Sequence, residues 1–185
     1  MRNESMGGGP STRAARSGAV TMFHDPATFP FTRHLEHHWQ AIALEFESIR
    51  PDLIEWAHRD LYGNGWKVYG LYGFPDGSAI AGNVARCPLT ASLVEEWIPG
   101  HGAVGFSVLQ PRTCLRPHVG YQGEFLRCHL GLIVPPGDCG IEVDGERRGW
   151  EEGKTLVFDD RLRHEAWNGT ERERVLLLVD FIPSH

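Results

Sequence analysis

Leu126-Arg127-Cys128-His129-Leu130-Gly131-Leu132 alternates without a break, with Leu126, Cys128, Leu130 and Leu132 at one parity and Arg127, His129 and Gly131 at the other. Successive side chains of a strand point to opposite faces. The stretch is therefore a strand with one aliphatic wall and one wall that carries a guanidinium and an imidazole. The aliphatic wall belongs in a core. The other wall has two readings, a solvated outer face or an inner face that meets an acidic ligand, because a guanidinium buried without an anion is costly. Period alone does not choose between them.

The same period-two signal recurs on both sides of this stretch. It predicts strands at 66–72, 103–109, 124–134, 140–143, 147–150, 154–158 and 174–181, with Asp144-Gly145 as a tight hairpin turn between two of them. The pattern upstream is helical. Leu35, Trp39, Ile42, Phe46 and Ile49 recur at spacings of four and three, which predicts one amphipathic helix over 31–49 that stops before Pro51. A second helix is expected at 52–60. A third follows Cys87-Pro88, capped by Thr90 or Ser92, and ends at Pro99-Gly100. Short strands cut by Gly and Pro and preceded by helices predict a mostly-β fold, a cupin-like jelly roll braced by its N-terminal helices.

A chain of 185 residues, 41% hydrophobic and 23% charged, fits a single domain, expected at 22–185. Residues 1–21 lack large apolar side chains and are expected to form a disordered tail, with Met22 a candidate start. The net charge of -6 and the absence of basic runs argue against nucleic acid as a partner. No apolar run reaches the length of a membrane span or a signal peptide, which makes the cytoplasm the expected setting. Cys87, Cys114, Cys128 and Cys139 contain no C-x-x-C pair and are expected as free thiols, with Cys128 buried on a strand. Oligomeric state is left open.

His118 and His164 lie 46 residues apart. They share no helix face and can meet only where a sheet folds back on itself. His118 sits where a strand opens into a loop, His164 in a polar stretch after Phe158-Asp159-Asp160, and Arg174 at the head of the most apolar strand. Each alone reads equally as a surface residue. Asp159 and Asp160 precede a turn and read as backbone caps rather than metal ligands, and Glu165, next to His164, points the other way. His34 and His38 read as a polar helix face, His24 and His185 as terminal and mobile. Trp66, Trp97 and Trp150 read as core, with Trp66 placed to border a pocket.

Taken in order, Cys87-Pro-Leu-Thr, Phe106-Ser-Val-Leu, His118-Val-Gly, Leu126-Arg-Cys-His-Leu-Gly-Leu, Trp150-Glu-Glu-Gly-Lys, Phe158-Asp-Asp and His164-Glu-Ala-Trp-Asn resemble the aspartyl/asparaginyl beta-hydroxylase family over 31–183. The resemblance implies a double-stranded β-helix and a hydroxylase dependent on Fe(II), 2-oxoglutarate and O2. It implies His118 and His164 as the iron ligands, with Gly120 where most such oxygenases carry a carboxylate. It implies Arg174 and Ser107 on the distal carboxylate of 2-oxoglutarate, His129 on the carboxylate at the metal, and Arg127 on that anion or on a substrate acid. The implied substrate is an Asp, an Asn or a related amino acid, free or in a short peptide. Phe125 stands where members that act on protein domains place a second basic residue, which weakens the peptidyl reading. Another small molecule as substrate and a non-catalytic ligand-binding jelly roll are the alternatives. A lipid-processing context is disfavoured by the lack of a membrane segment.

Overall fold

The computed structural model describes residues 21–183. The expected disordered tail and the mobile His185 lie outside the described residues, Thr21 apart. The strands are β1 (Phe23–His24), β2 (Ile54–Glu55), β3 (Trp66–Tyr72), β4 (Val104–Leu109), β5 (Thr113–His118), β6 (Leu126–Ile133), β7 (Cys139–Val143), β8 (Glu146–Arg148), β9 (Thr155–Phe158), β10 (His164–Asn168) and β11 (Arg174–Phe181). The helices are α1 (Phe31–His37), α2 (Trp39–Ile49), α3 (Ala81–Val84) and α4 (Pro88–Trp97).

The strands form two antiparallel sheets, one in the order β1-β9-β6-β11-β4-β3-β2 and one in the order β5-β10-β7-β8. Alternation divides the larger sheet cleanly. Leu126, Cys128, Leu130 and Leu132 of β6, Val175, Leu177 and Val179 of β11, and Phe106 and Val108 of β4 pack with Leu35, Ile42, Phe46 and Val94 of the helices. The opposite parity, represented by Leu109, Phe158 and Leu176, packs with Leu115, Ile141, Val143 and Ala166 of the smaller sheet. The helices thus cover one face of the large sheet and the small sheet covers the other. This is the mostly-β, cupin-like jelly roll that the pattern predicts. It also settles the two readings of the Arg127 and His129 wall, because that wall faces the second sheet.

Several local expectations change. The predicted 31–49 helix is broken at His38, whose ψ is 9°. The break lies between Glu36, which accepts hydrogen bonds from the Thr155 amide and hydroxyl, and Trp39, whose indole lies against Gly153. Tertiary contacts on either side override the period. The predicted helix at 52–60 is instead β2 flanked by two 3-10 turns, since Ile54 and Glu55 pair with Val68 and Lys67. The start of α4 is not capped from within. Glu45 of α2 accepts from the Leu89 and Thr90 amides and the Thr90 hydroxyl, a carboxylate at a helix N-terminus supplied by a neighbouring helix. His24 is held in β1 opposite Val157 rather than mobile. Trp97 is 40% exposed and stacks on His34 instead of entering the core. The Asp144-Gly145 turn joins β7 to β8 as predicted, both residues having positive φ. All four cysteines are free, Cys128 buried on β6.

Candidate active site

The inner wall of the large sheet carries Trp66 on β3, Ser107 on β4, His129 on β6 and Arg174 on β11, and all four line one cavity with His118 and His164 of the small sheet. Three strands of regular period two therefore place an alcohol, an imidazole and a guanidinium on a single surface.

The two histidines meet through an irregularity. Leu115 of β5 is opposite Ala166 of β10, yet His118 is opposite His164, so three steps on β5 match two on β10. One extra residue in a strand reverses the parity beyond it. Leu115 faces the core, and an unbroken period would turn Pro117 inward and His118 outward. With the bulge, His118 turns inward and its ring centroid lies 4.3 Å from that of His164. Pro117, which has no N–H to lose from the ladder, suits such a position.

Both rings are oriented by backbone. His118 Nδ1 lies 2.7 Å from the Arg116 carbonyl and His164 Nδ1 lies 2.9 Å from the Leu162 carbonyl. A carbonyl only accepts, so each Nδ1 donates, and the tautomer this selects is the one that carries its lone pair on Nε2. Burial pushes His164 down to about 4, which keeps it neutral at physiological pH. A pair of imidazoles whose Nδ1–H groups are anchored on backbone carbonyls has both Nε2 atoms placed to bind a transition metal. Among the described residues no set of three His, Cys, Asp or Glu side chains is arranged around a metal position. Gly120 has no room for a carboxylate, since a Cβ there would lie 2.2 Å from Asp160 Oδ2.

Arg174 is 2% exposed, and among the described residues it has no carboxylate partner. Its Nε is buried without a hydrogen-bond partner. Burial lowers its pKa to about 10, so it still carries its charge at neutral pH. The face of Trp150 lies against it, 4.8 Å from guanidinium carbon to ring centroid. A buried cation that lacks a counter-charge costs several kcal/mol, on the order of the penalty for any desolvated ion, and an acidic ligand would offset it. Ser107 Oγ lies 3.1 Å from Trp66 Nε1, and His129 Nδ1 lies 3.3 Å from Trp150 Nε1. Burial first, then the charges of Arg127 and Arg174, push His129 well below the ordinary imidazole range.

Arg127 faces the same way but is already engaged. Its Nε and Nη2 donate to the two oxygens of Asp180 at 2.7 and 3.0 Å, and Nη2 also lies 3.1 Å from Asp160. Burial opposes its charge, and Asp180 then Asp160 more than restore it, raising its pKa. Burial raises the pKa of Asp160, with Arg127 acting against that rise. Arg127 lines the same cavity as the other predicted residues, with its Nε and Nη2 turned to two carboxylates. Asp159 accepts from the Arg161 amide, as a cap should, and from its guanidinium. Asp160 is a partner of Arg127, not a cap. Glu165 sits opposite Glu142 on the outward parity of β10. The sequence alone gives Asp180 no role at the site, and it gives Trp150 a place in the core, where the structure has it. Asp180 is at the same parity as Arg174 and of opposite sign to Arg127, whereas the sequence marks Trp150 only as core and as the head of a family motif, not as the partner of Arg174 and His129.

The family model for aspartyl/asparaginyl beta-hydroxylase matches residues 36–183. The chain belongs to that family. Relatives include the ornithine lipid ester-linked acyl 2-hydroxylase of Rhizobium tropici, 38% identical over 86% of this chain and 59% of that protein. They also include the mouse aspartyl/asparaginyl beta-hydroxylase, 35% identical over 62% of this chain and 16% of that protein. This family member thus spans only part of the length of the curated relatives it matches. Among solved structures, a prolyl-4-hydroxylase from Pseudomonas putida shares the fold with a TM-score of 0.53 at 17% identity, over 81% of this chain and 88% of that one.

Proposed function

We propose that this family member is an Fe(II)- and 2-oxoglutarate-dependent oxygenase that hydroxylates an unactivated C–H bond. The observation that carries the reading is Arg174, a buried guanidinium without a carboxylate, on the same cavity as two imidazoles whose Nε2 lone pairs are free. Such a cavity calls for a cation at one end and an anion at the other. 2-Oxoglutarate chelated to a divalent metal meets both demands.

In this reading His118 and His164 would hold the metal, their Nδ1 atoms being taken by backbone carbonyls. Two neutral donors leave its charge uncompensated, which favours an anionic cosubstrate beside it. Arg174 takes the distal carboxylate through its fork, Ser107 adds a hydrogen bond, and His129 reaches the carboxylate at the metal. An Fe(II) ion held by these residues would supply, with O2 and 2-oxoglutarate, the oxidising power for hydroxylation. The chain's own share is to orient the cosubstrate and to hold one C–H bond in reach. Arg127, balanced by Asp180 and Asp160, keeps the wall in shape. A non-catalytic binding module would have no need of the histidine pair.

The family name favours the β-carbon of an Asp, an Asn or a related amino acid, free or in a short peptide. A second reading, an acyl chain, has its own observation. Phe74 packs on Tyr121 and Phe125 with ring centroids 4.1 and 5.3 Å away, and Val119 and Tyr121, just after His118, are 57% and 67% exposed. An apolar rim beside a metal ligand suits a hydrocarbon substrate, and the name of the Rhizobium relative points the same way. That no helix among the described residues is long and apolar enough to cross a membrane is therefore a weak argument against lipid.

The test is succinate formation from 2-oxoglutarate by iron-loaded protein in O2, with Asp, Asn, Asp-containing peptides and acylated ornithine as candidate substrates. Stimulation by one of them is expected and names the class. No succinate with any of them, together with no iron or 2-oxoglutarate binding, would sink the proposal.

A further inference from the structure

We infer that two indoles, Trp150 and Trp66, are positioning residues that turn His129 and Ser107 into hydrogen donors aimed at the anion beside Arg174. The identity of that anion rests on the proposed function; the orientation of the donors does not.

An indole nitrogen carries one hydrogen and offers no lone pair. Where Trp150 Nε1 meets His129 Nδ1 at 3.3 Å, the indole therefore donates and Nδ1 accepts. An Nδ1 that accepts has no proton. The ring is neutral, so its one hydrogen sits on Nε2, for which no acceptor exists among the described residues. The same logic holds for Ser107. Trp66 Nε1 donates to its Oγ at 3.1 Å, which leaves the hydroxyl hydrogen free to point elsewhere.

The three imidazoles of the cavity are thereby sorted into two kinds. His118 and His164 give their Nδ1 hydrogens to carbonyl oxygens and keep lone pairs on Nε2. His129 receives at Nδ1 and keeps a hydrogen on Nε2. The partner of the far nitrogen sets what the near nitrogen offers, so one residue type serves a cation at two positions and an anion at the third. Trp150 acts twice, with its face against the Arg174 guanidinium and its N–H on His129.

The experiment is a long-range 1H–15N correlation spectrum of the imidazoles in metal-free protein without cosubstrate, for the unsubstituted chain and for Trp150→Phe, which keeps an aromatic face for Arg174 and removes the N–H. In the unsubstituted chain His129 is expected protonated on Nε2, and His118 and His164 on Nδ1. In Trp150→Phe, His129 is expected to populate both tautomers, and KM for 2-oxoglutarate to rise about tenfold, as for one lost hydrogen bond to a charged group, more than kcat falls. His129→Gln, whose amide nitrogen is a donor without help, is expected to abolish most of the Trp150→Phe effect in the double variant. A proton on His129 Nδ1 in the unsubstituted chain overturns the inference even if Trp150→Phe fails to fold, and so does an unchanged tautomer in Trp150→Phe. Because the spectra need no cosubstrate, a chain with the expected tautomers but no 2-oxoglutarate turnover overturns the proposed function and upholds the inference.

Discussion

His118 and His164 are cross-strand partners on β5 and β10, with ring centroids 4.3 Å apart and both Nδ1 atoms bonded to backbone carbonyls. Under the proposed function these two are the metal's protein ligands, and neither is then dispensable. His118→Ala and His164→Ala are each expected to lower affinity for a divalent metal by roughly 100-fold or more, about 2.7 kcal/mol, in titration calorimetry with Mn(II) or Fe(II). Full metal affinity and turnover in His164→Ala would remove it from the site.

Arg174→Met replaces an unpaired buried cation with an apolar chain of similar length. The metal-free, cosubstrate-free protein is expected to gain about 2 kcal/mol in urea unfolding, while KM for 2-oxoglutarate rises steeply and metal binding stays intact. A loss of stability instead would mean that Arg174 has a counter-charge within the protein.

Arg127→Met leaves Asp160 and Asp180 facing each other without their shared cation. The expected cost is about 3 to 5 kcal/mol. It should shrink as pH falls, because burial raises the pKa of Asp160 and its protonation relieves the repulsion. Unfolding curves at two pH values check this. A selective effect on KM for an acidic substrate at unchanged stability would return Arg127 to the binding role.

Gly120→Ala places a methyl group on the Asp160 carboxylate and backbone, with an expected cost of about 1 to 3 kcal/mol. Gly120→Asp is expected to be at least as unstable and to bind metal no more tightly, which thermal unfolding with and without metal would show.

The buried histidines make the metal-free protein sensitive to mild acid. Burial lowers His164 to about 4 and pushes His129 well below its ordinary value, so both stay neutral in the folded chain while an unfolded imidazole takes up a proton near pH 6.5. Their contribution is complete above about pH 6.5 and is lost as pH falls towards 4, up to about 3 kcal/mol for His164. Asp160, raised in the folded state, opposes the trend at the acid end. Unfolding free energy measured from pH 7 to pH 4.5 should fall, and should fall less in His164→Asn.

What the sequence by itself determined is whatever depends on local period. Period-two alternation, as in Leu126 to Leu132 and the apolar run of β11, together with the Asp144-Gly145 turn, specified β3, β4, β6 to β9 and β11, the jelly roll and the separation of an aliphatic wall from the Arg127 and His129 wall, but not β5 and β10, the short strands that carry the two histidines. The ordered motifs named the family and singled out His118, Ser107, His129, His164 and Arg174, all of which line one cavity. Only the tertiary structure decided which way the polar wall faces, because parity separates two faces without saying which is covered. It also decided the β5 bulge that turns His118 towards His164, an extra residue that no periodic pattern contains. Pairing across distant strands did the rest. Arg127 was claimed by Asp180 and Asp160, Glu45 capped a helix not its own, and Trp150 was placed between Arg174 and His129. Each of these joins residues far apart in the chain, where the energy comes from burial and charge balance in three dimensions.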